Sequence, residues 1–166
     1  IKEFLSALEA VDGLRVIFTM PNSDTGRDVI ADAIADYVDR HPGTSKAFAS
    51  LGLRRYLSAL HYAKAAVGNS SSGIIEVPSF GIPSLNIGDR QKGRLASESV
   101  VNCGTGKDDI LKGLRLCLSP EMRRRAKTAD NPYAKDGTAS LILDRLKHAD
   151  LAALRTKHFY DIPVKG

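Results

Sequence analysis

The stretch AAVGNSSSGIIEVPSFGIPSLNIGDRQKGR, residues 65–94, decides how this chain is read. Its apolar start, Ala65–Gly68, reads as a short buried strand, and Ser84–Ile87 reads as another. Between them Gly73–Phe80 is expected to be a short helix, entered through Asn69-Ser70-Ser71-Ser72. Strand, small-residue turn, helix, strand is the repeating unit of a parallel α/β fold. The first N–H groups of a helix are unpaired and the macrodipole is positive there, so such a turn suits a phosphate or diphosphate. The competing use of the same serines is a plain helix cap.

Outward from this stretch the alternation continues. Residues 1–8 show helical spacing of Ile1, Phe4, Leu5 and Leu8, and Leu14–Met20 reads as a buried strand. A helix is expected over Arg27–Arg40, stopped by His41-Pro42-Gly43, with a short strand within Thr44–Ser50 and a helix over Arg54–Ala63. Val100–Cys103 is a further strand. Lys107–Leu118 and Glu121–Ala129 are helices divided by Ser119-Pro120, and a last helix covers Gly137–Ala149. Strands alternating with amphipathic helices imply a Rossmann-like, doubly wound parallel sheet. Ligands of such sheets bind beyond the carboxyl ends of the strands. Three loops fall there: Pro21–Gly26, Asn69–Gly73 and Gly88–Arg94.

Composition narrows the function without choosing it. The 166 residues fit one domain, 1–166, and they begin at Ile1 inside a helical pattern, so a piece of a larger protein is expected. No apolar run approaches a membrane span, and two cysteines, Cys103 and Cys117, point to a reduced cytoplasmic compartment. The net charge of +5 is modest and aromatic residues are only 6%, which disfavours nucleic-acid binding and suits a small polyanion. The four histidines lack metal-ligand spacing, and neither a Walker loop nor GxGxxG is present, so no metal and no dinucleotide cofactor is expected.

Several side chains are candidate ligand groups. Ser70 and Ser71 open the turn. Glu76, expected one turn into the helix, either accepts hydroxyl hydrogen bonds from a ribose or complements the dipole for ~0.3–1 kcal/mol. Arg90, with Lys92 and Arg94, offers a guanidinium fork to a diphosphate or forms an ordinary solvated turn. Asn22 and Asp24 either meet a ligand or make an Asx turn, and Tyr56 either stacks on a base or packs in the core.

With those residues placed, the chain resembles the C-terminal half of the UDP-N-acetylglucosamine 2-epimerase family, most strongly over Pro21–Gly26, Tyr56–Arg94 and Asn131–Ser140. The likeness is to the hydrolysing branch that feeds sialic and nonulosonic acid synthesis. Non-hydrolysing members usually carry Thr-Glu-Arg-Pro-Glu where this chain has Asp89-Arg90-Gln91-Lys92-Gly93. Asn131-Pro132-Tyr133-Ala134-Lys135-Asp136-Gly137 resembles the family's Asn-Pro-Tyr-Gly-Asp-Gly element, with Ala134-Lys135 replacing one glycine. The resemblance implies a two-domain glycosyltransferase-B fold that holds a UDP-sugar between two Rossmann-like halves. By position, Ser70 and Ser71 would meet the diphosphate, Glu76 the ribose, and Tyr56 the uracil region, while Arg90, Asn22 and Asp24 would line or border the site. It further implies a homodimer that converts UDP-N-acetylhexosamine to UDP and an N-acetylmannosamine-type sugar, with catalytic acids mainly in the other half. Two alternatives stay open: the donor-binding half of a glycosyltransferase of the same fold, and a stand-alone nucleotide-sensing module.

Overall fold

The computed structural model describes residues 1–20, 27–156 and 159. It divides into two compact units, Ile1–Tyr133 and Ala134–Gly166.

In the first unit α1 (Lys2–Glu9) precedes β1 (Val16–Thr19), α2 (Arg27–Arg40) and β2 (Ser45–Phe48). Then come α3 (Gly52–Tyr62), β3 (Ala66–Gly68), α4 (Ser72–Ile75), a 3₁₀ turn (Val77–Phe80) and β4 (Ser84–Ile87). The unit closes with β5 (Val100–Cys103), α5 (Lys107–Leu118) and α6 (Pro120–Thr128). Every strand pairing among the described residues is parallel, as the strand–helix alternation requires. Among the described residues the hydrogen bonds form two sheets, β1-β2 and β3-β4-β5, rather than one continuous sheet. β3 is only three residues long, and among the described residues its ladder runs to β4 alone. One core nevertheless spans both sheets, joining Leu5, Leu8, Phe18, Tyr37, Leu85, Leu114 and Cys117.

β4 is the centre of the larger sheet, with Gly68, Asn86 and Asn102 aligned across it. Ser84, Leu85 and Asn86 are all buried, because helices cover both faces of the strand. On one face Leu85 meets α5 so closely that a Cβ on Gly113 would lie 2.5 Å from its Cδ1. On the other, a Cβ on Gly73 of α4 would lie 2.7 Å from Ser84 Oγ. These two glycines set how near the helices sit to the strand.

Helix ends follow local chemistry. Glu3 of α1 accepts the Lys107 N–H at 3.1 Å, so the first helix caps α5, on which it packs. Ser119 accepts the Met122 N–H at 3.1 Å, and Pro120 supplies the first residue of α6. Cys103 ends β5 and Cys117 lies on α5. Burial pushes the Cys117 thiol up to about 12, with Cys103 adding to the shift. In the second unit α7 (Thr138–Lys147) follows Gly137, and Thr138 Oγ1 donates to the Lys135 carbonyl at 2.7 Å. No helix of the described residues is long and apolar enough to cross a membrane.

Candidate functional site

β3 ends at Gly68, whose φ of +152° only glycine adopts readily, and the chain turns through Asn69, Ser70 and Ser71 into α4. Ser70 Oγ accepts the Ser72 N–H at 3.3 Å, while Ser71 stands at the N-cap without using its hydroxyl as a cap. The N–H groups of Ser70 and Ser71 reach no acceptor among the described residues. Two main-chain donors and two hydroxyls therefore share one turn at the carboxyl edge of the sheet.

The expected helix Gly73–Phe80 is not continuous. α4 stops after Ile75, and Glu76 is at once its C-cap and the start of the 3₁₀ turn. Pro78 is the cause: it has no N–H for an α-helical bond, and it disfavours helical geometry at Val77. Glu76 thus lies at a helix end rather than one turn inside, and a helix this short contributes little macrodipole. What remains at the turn is the direct chemistry of its N–H and O–H groups.

Glu76 is half-buried, and its Oε2 is fully enclosed with no hydrogen-bond partner. Beside it Tyr56, half-buried on α3, shares a hydrogen bond of 2.5 Å with Ser72 Oγ. Desolvation raises the Tyr56 phenol above its ordinary 10.0, the Ser72 bond partly counters this, and the Glu76 charge raises it further. The tyrosine therefore stays protonated and can donate. Ser70, Ser71, Tyr56 and Glu76 are brought together.

The second loop joins them through a residue the sequence did not flag. β4 ends at Gly88, φ +75°, whose N–H donates to the Cys103 carbonyl at 2.9 Å. Three residues on, Gln91 is 6% exposed and its Nε2 donates to the Asn69 carbonyl at 2.8 Å. Arg90, next to it, is exposed and forms no ion pair among the described residues. Asn131, which the sequence marks only as part of its motif, is a second such residue. Its Nδ2 donates to the Ile75 carbonyl at 2.9 Å and to Ser79 Oγ at 2.7 Å, holding the segment that carries Glu76. Tyr133, two residues later, donates its hydroxyl to the Leu95 carbonyl at 3.0 Å. A polar residue within a motif was the only signal available for either, since loops carry no period that tells inward from outward. Asn22 and Asp24 lie outside the described residues. Among the described residues no group of three or more His, Cys, Asp or Glu side chains could hold a metal ion.

The sequence profile described as UDP-N-acetylglucosamine 2-epimerase matches residues 1–147. The chain belongs to the UDP-N-acetylglucosamine 2-epimerase family. Among its relatives, a GDP/UDP-N,N'-diacetylbacillosamine 2-epimerase (hydrolyzing) of Campylobacter jejuni is 34% identical over 163 residues, 98% of this chain and 42% of that protein. Polysialic acid biosynthesis protein P7 of Escherichia coli is 33% identical over 168 residues, with the same two shares. The chain thus spans about 42% of the length of these epimerase-family relatives. A crystal structure of UDP-GlcNAc 2-epimerase from Neisseria meningitidis bound to UDP-GlcNAc superposes with a TM-score of 0.68 at 15% identity, covering 90% of this chain and 41% of that one. At that identity the likeness shows the fold, and it bears out the Rossmann-like α/β reading for this epimerase-family chain.

Proposed function

We propose that this chain is the UDP-binding half of a hydrolysing UDP-N-acetylglucosamine 2-epimerase, the C-terminal domain of a two-domain glycosyltransferase-B fold. The observation that carries the reading is one segment in which the N–H groups of Ser70 and Ser71 stand open among the described residues and the half-buried Glu76 carboxylate, five residues after Ser71, has no protein hydrogen-bond partner. The accessible oxygen of this half-buried carboxylate accepts hydrogen bonds, and ribose hydroxyls supply them. The same nucleotide places its diphosphate on the N–H and O–H groups of Ser70 and Ser71, with the Arg90 guanidinium neutralising charge from the second loop. Tyr56 borders the base end of the site, and Asn22 and Asp24 its rim.

In this reading the intact enzyme takes UDP-N-acetylglucosamine, or an analogue altered elsewhere on the sugar, and water to UDP and an N-acetylmannosamine-type sugar. The sugar C1–oxygen bond to UDP breaks and C2 inverts. This half contributes by holding the departing diphosphate, where charge develops, and acidic groups of the other half move the protons. The enzyme is a cytoplasmic homodimer feeding nonulosonic acid synthesis, with no nucleic-acid or membrane partner. Hydrolysing relatives and the Asp89-Arg90-Gln91-Lys92-Gly93 loop support the hydrolysing outcome.

The test is calorimetric titration of UDP into the chain and into a Ser71→Ala/Glu76→Ala double variant. Saturable binding that the variant loses supports the assignment. Binding by the variant equal to wild type overturns these residues as the nucleotide seat. Product analysis of the full-length enzyme completes the test, because UDP without free 2-epimerised sugar excludes hydrolytic epimerisation.

A further inference from the structure

Gln91 has an environment that its contribution to stability does not explain. It is 6% exposed, yet only half of its amide is satisfied: Nε2 donates to the Asn69 carbonyl at 2.8 Å, while Oε1 is enclosed without a partner. An orphaned buried acceptor costs at least as much as one neutral hydrogen bond returns. The bond it does make joins loops that are 22 residues apart in sequence and carry different candidate ligand groups. The loop itself is folded tightly around Gln91. Gly88 opens it at φ +75°, the Lys92 N–H donates to the Asp89 carbonyl at 3.0 Å, and the Arg94 N–H donates to the Gln91 carbonyl at 3.3 Å. Gln91 points inward and its neighbours Arg90 and Lys92 are exposed on either side.

We infer that Gln91 is a positioning residue, a strap that fixes the Gly88–Arg94 loop to the Asn69 turn and so sets where Arg90 stands relative to Ser70 and Ser71. The inference rests on the UDP reading above. A free arginine on a loop must be ordered when a diphosphate binds, and a loop already strapped to the turn has met that cost in advance. Sequence proximity alone does not do this, because the two loops follow different strands.

Two variants test it. Gln91→Met keeps the length and flexibility of the side chain but removes both the strap and the orphaned oxygen, so the fold tolerates it. Gln91→Glu keeps the shape but sets a carboxylate oxygen against the Asn69 carbonyl. For each, thermal unfolding, amide exchange over residues 89–94 and the UDP dissociation constant are measured beside wild type and Glu76→Ala. The expected result for Gln91→Met is a midpoint within a few degrees of wild type, faster exchange over 89–94, and UDP binding weakened by about tenfold. Gln91→Glu should speed exchange at least as much. Unchanged exchange in both variants overturns the strap. Faster exchange with unchanged UDP affinity, while Glu76→Ala loses UDP, overturns the positioning role and leaves the nucleotide reading standing. Absence of UDP binding by wild type overturns the nucleotide reading, and the role inferred for Gln91 falls with it.

Discussion

Replacing Glu76 by methionine should move stability and ligand affinity in opposite directions. The substitution keeps an unbranched side chain of similar length and removes the carboxylate. In the free chain Oε2 is enclosed without a donor, and an unsatisfied buried acceptor costs ~1–3 kcal/mol. Glu76 is only half-buried, so its other oxygen keeps access to water and the relief belongs at the lower end, about 1 kcal/mol. For a chain of this size that raises the unfolding midpoint by roughly 2–4 °C. The effect on UDP is larger and opposite. Two hydroxyl bonds to a carboxylate at ~1.5–3 kcal/mol each amount to at least about 3 kcal/mol, or roughly a hundredfold in affinity. The assay pairs thermal unfolding of wild type and Glu76→Met with UDP titration of both. A lower midpoint in the variant would show that the carboxylate supports the fold, and the orphan argument would fail. An unchanged affinity would remove Glu76 from the nucleotide site.

Three further outcomes follow from the packing. Gly113→Ala drives a methyl to 2.5 Å from Leu85 Cδ1 in the centre of the core, an overpacking cost of ~1–3 kcal/mol against ~1 kcal/mol of helix propensity gained. Urea unfolding should find a net loss of about 1 kcal/mol, and a gain would mean that Leu85 has room to move. Asn131→Ala removes the bonds to Ile75 and Ser79, so the midpoint should fall by an amount corresponding to ~1–3 kcal/mol and UDP binding should weaken as the Glu76 segment loosens. An unchanged midpoint would show that those bonds stabilise nothing. The Cys117 thiol titrates near 9.0 in an unfolded chain and near 12 in the fold, so the unfolded state sheds its proton first as pH rises. Its contribution is fully present below pH 9 and declines between about 9 and 12 at about 1 kcal/mol per pH unit. Denaturation across that window should show a shallower decline in Cys117→Ala, and parallel curves would refute the assignment.

Much of this was legible because strong periods and stop signals coincide. Arg27–Arg40, Ser84–Ile87, Val100–Cys103 and Lys107–Leu118 are the observed elements at the expected residues. Residues 14–20 read as a longer strand, but a ladder needs a partner, and β2 offers only Ser45–Phe48. Gly73–Phe80 reads as one short helix, whereas the missing N–H of Pro78 divides it into α4 and a 3₁₀ turn. Single continuity of the sheet was not legible, since nothing in the sequence says which edge of the three-residue β3 is paired. The site divides the same way. Ser70, Ser71 and Glu76 come from one strand–turn–helix passage, and Tyr56 joins them from the preceding helix through Ser72. Gln91 and Asn131 act across 22 and 56 residues, and only the folded chain turns them inward.

The cap that Glu3 places on Lys107 also has a consequence in time. These residues are 104 positions apart, and α1 leaves the ribosome long before the helix it covers. At roughly 5–20 residues per second, α5 follows about 5–20 s later. Through that interval the apolar face of Leu5, Ala7 and Leu8 has no α5 to pack on. The first helix of this unit is therefore among the last to settle, and a nascent chain stalled before Lys107 carries an uncovered sticky surface on α1.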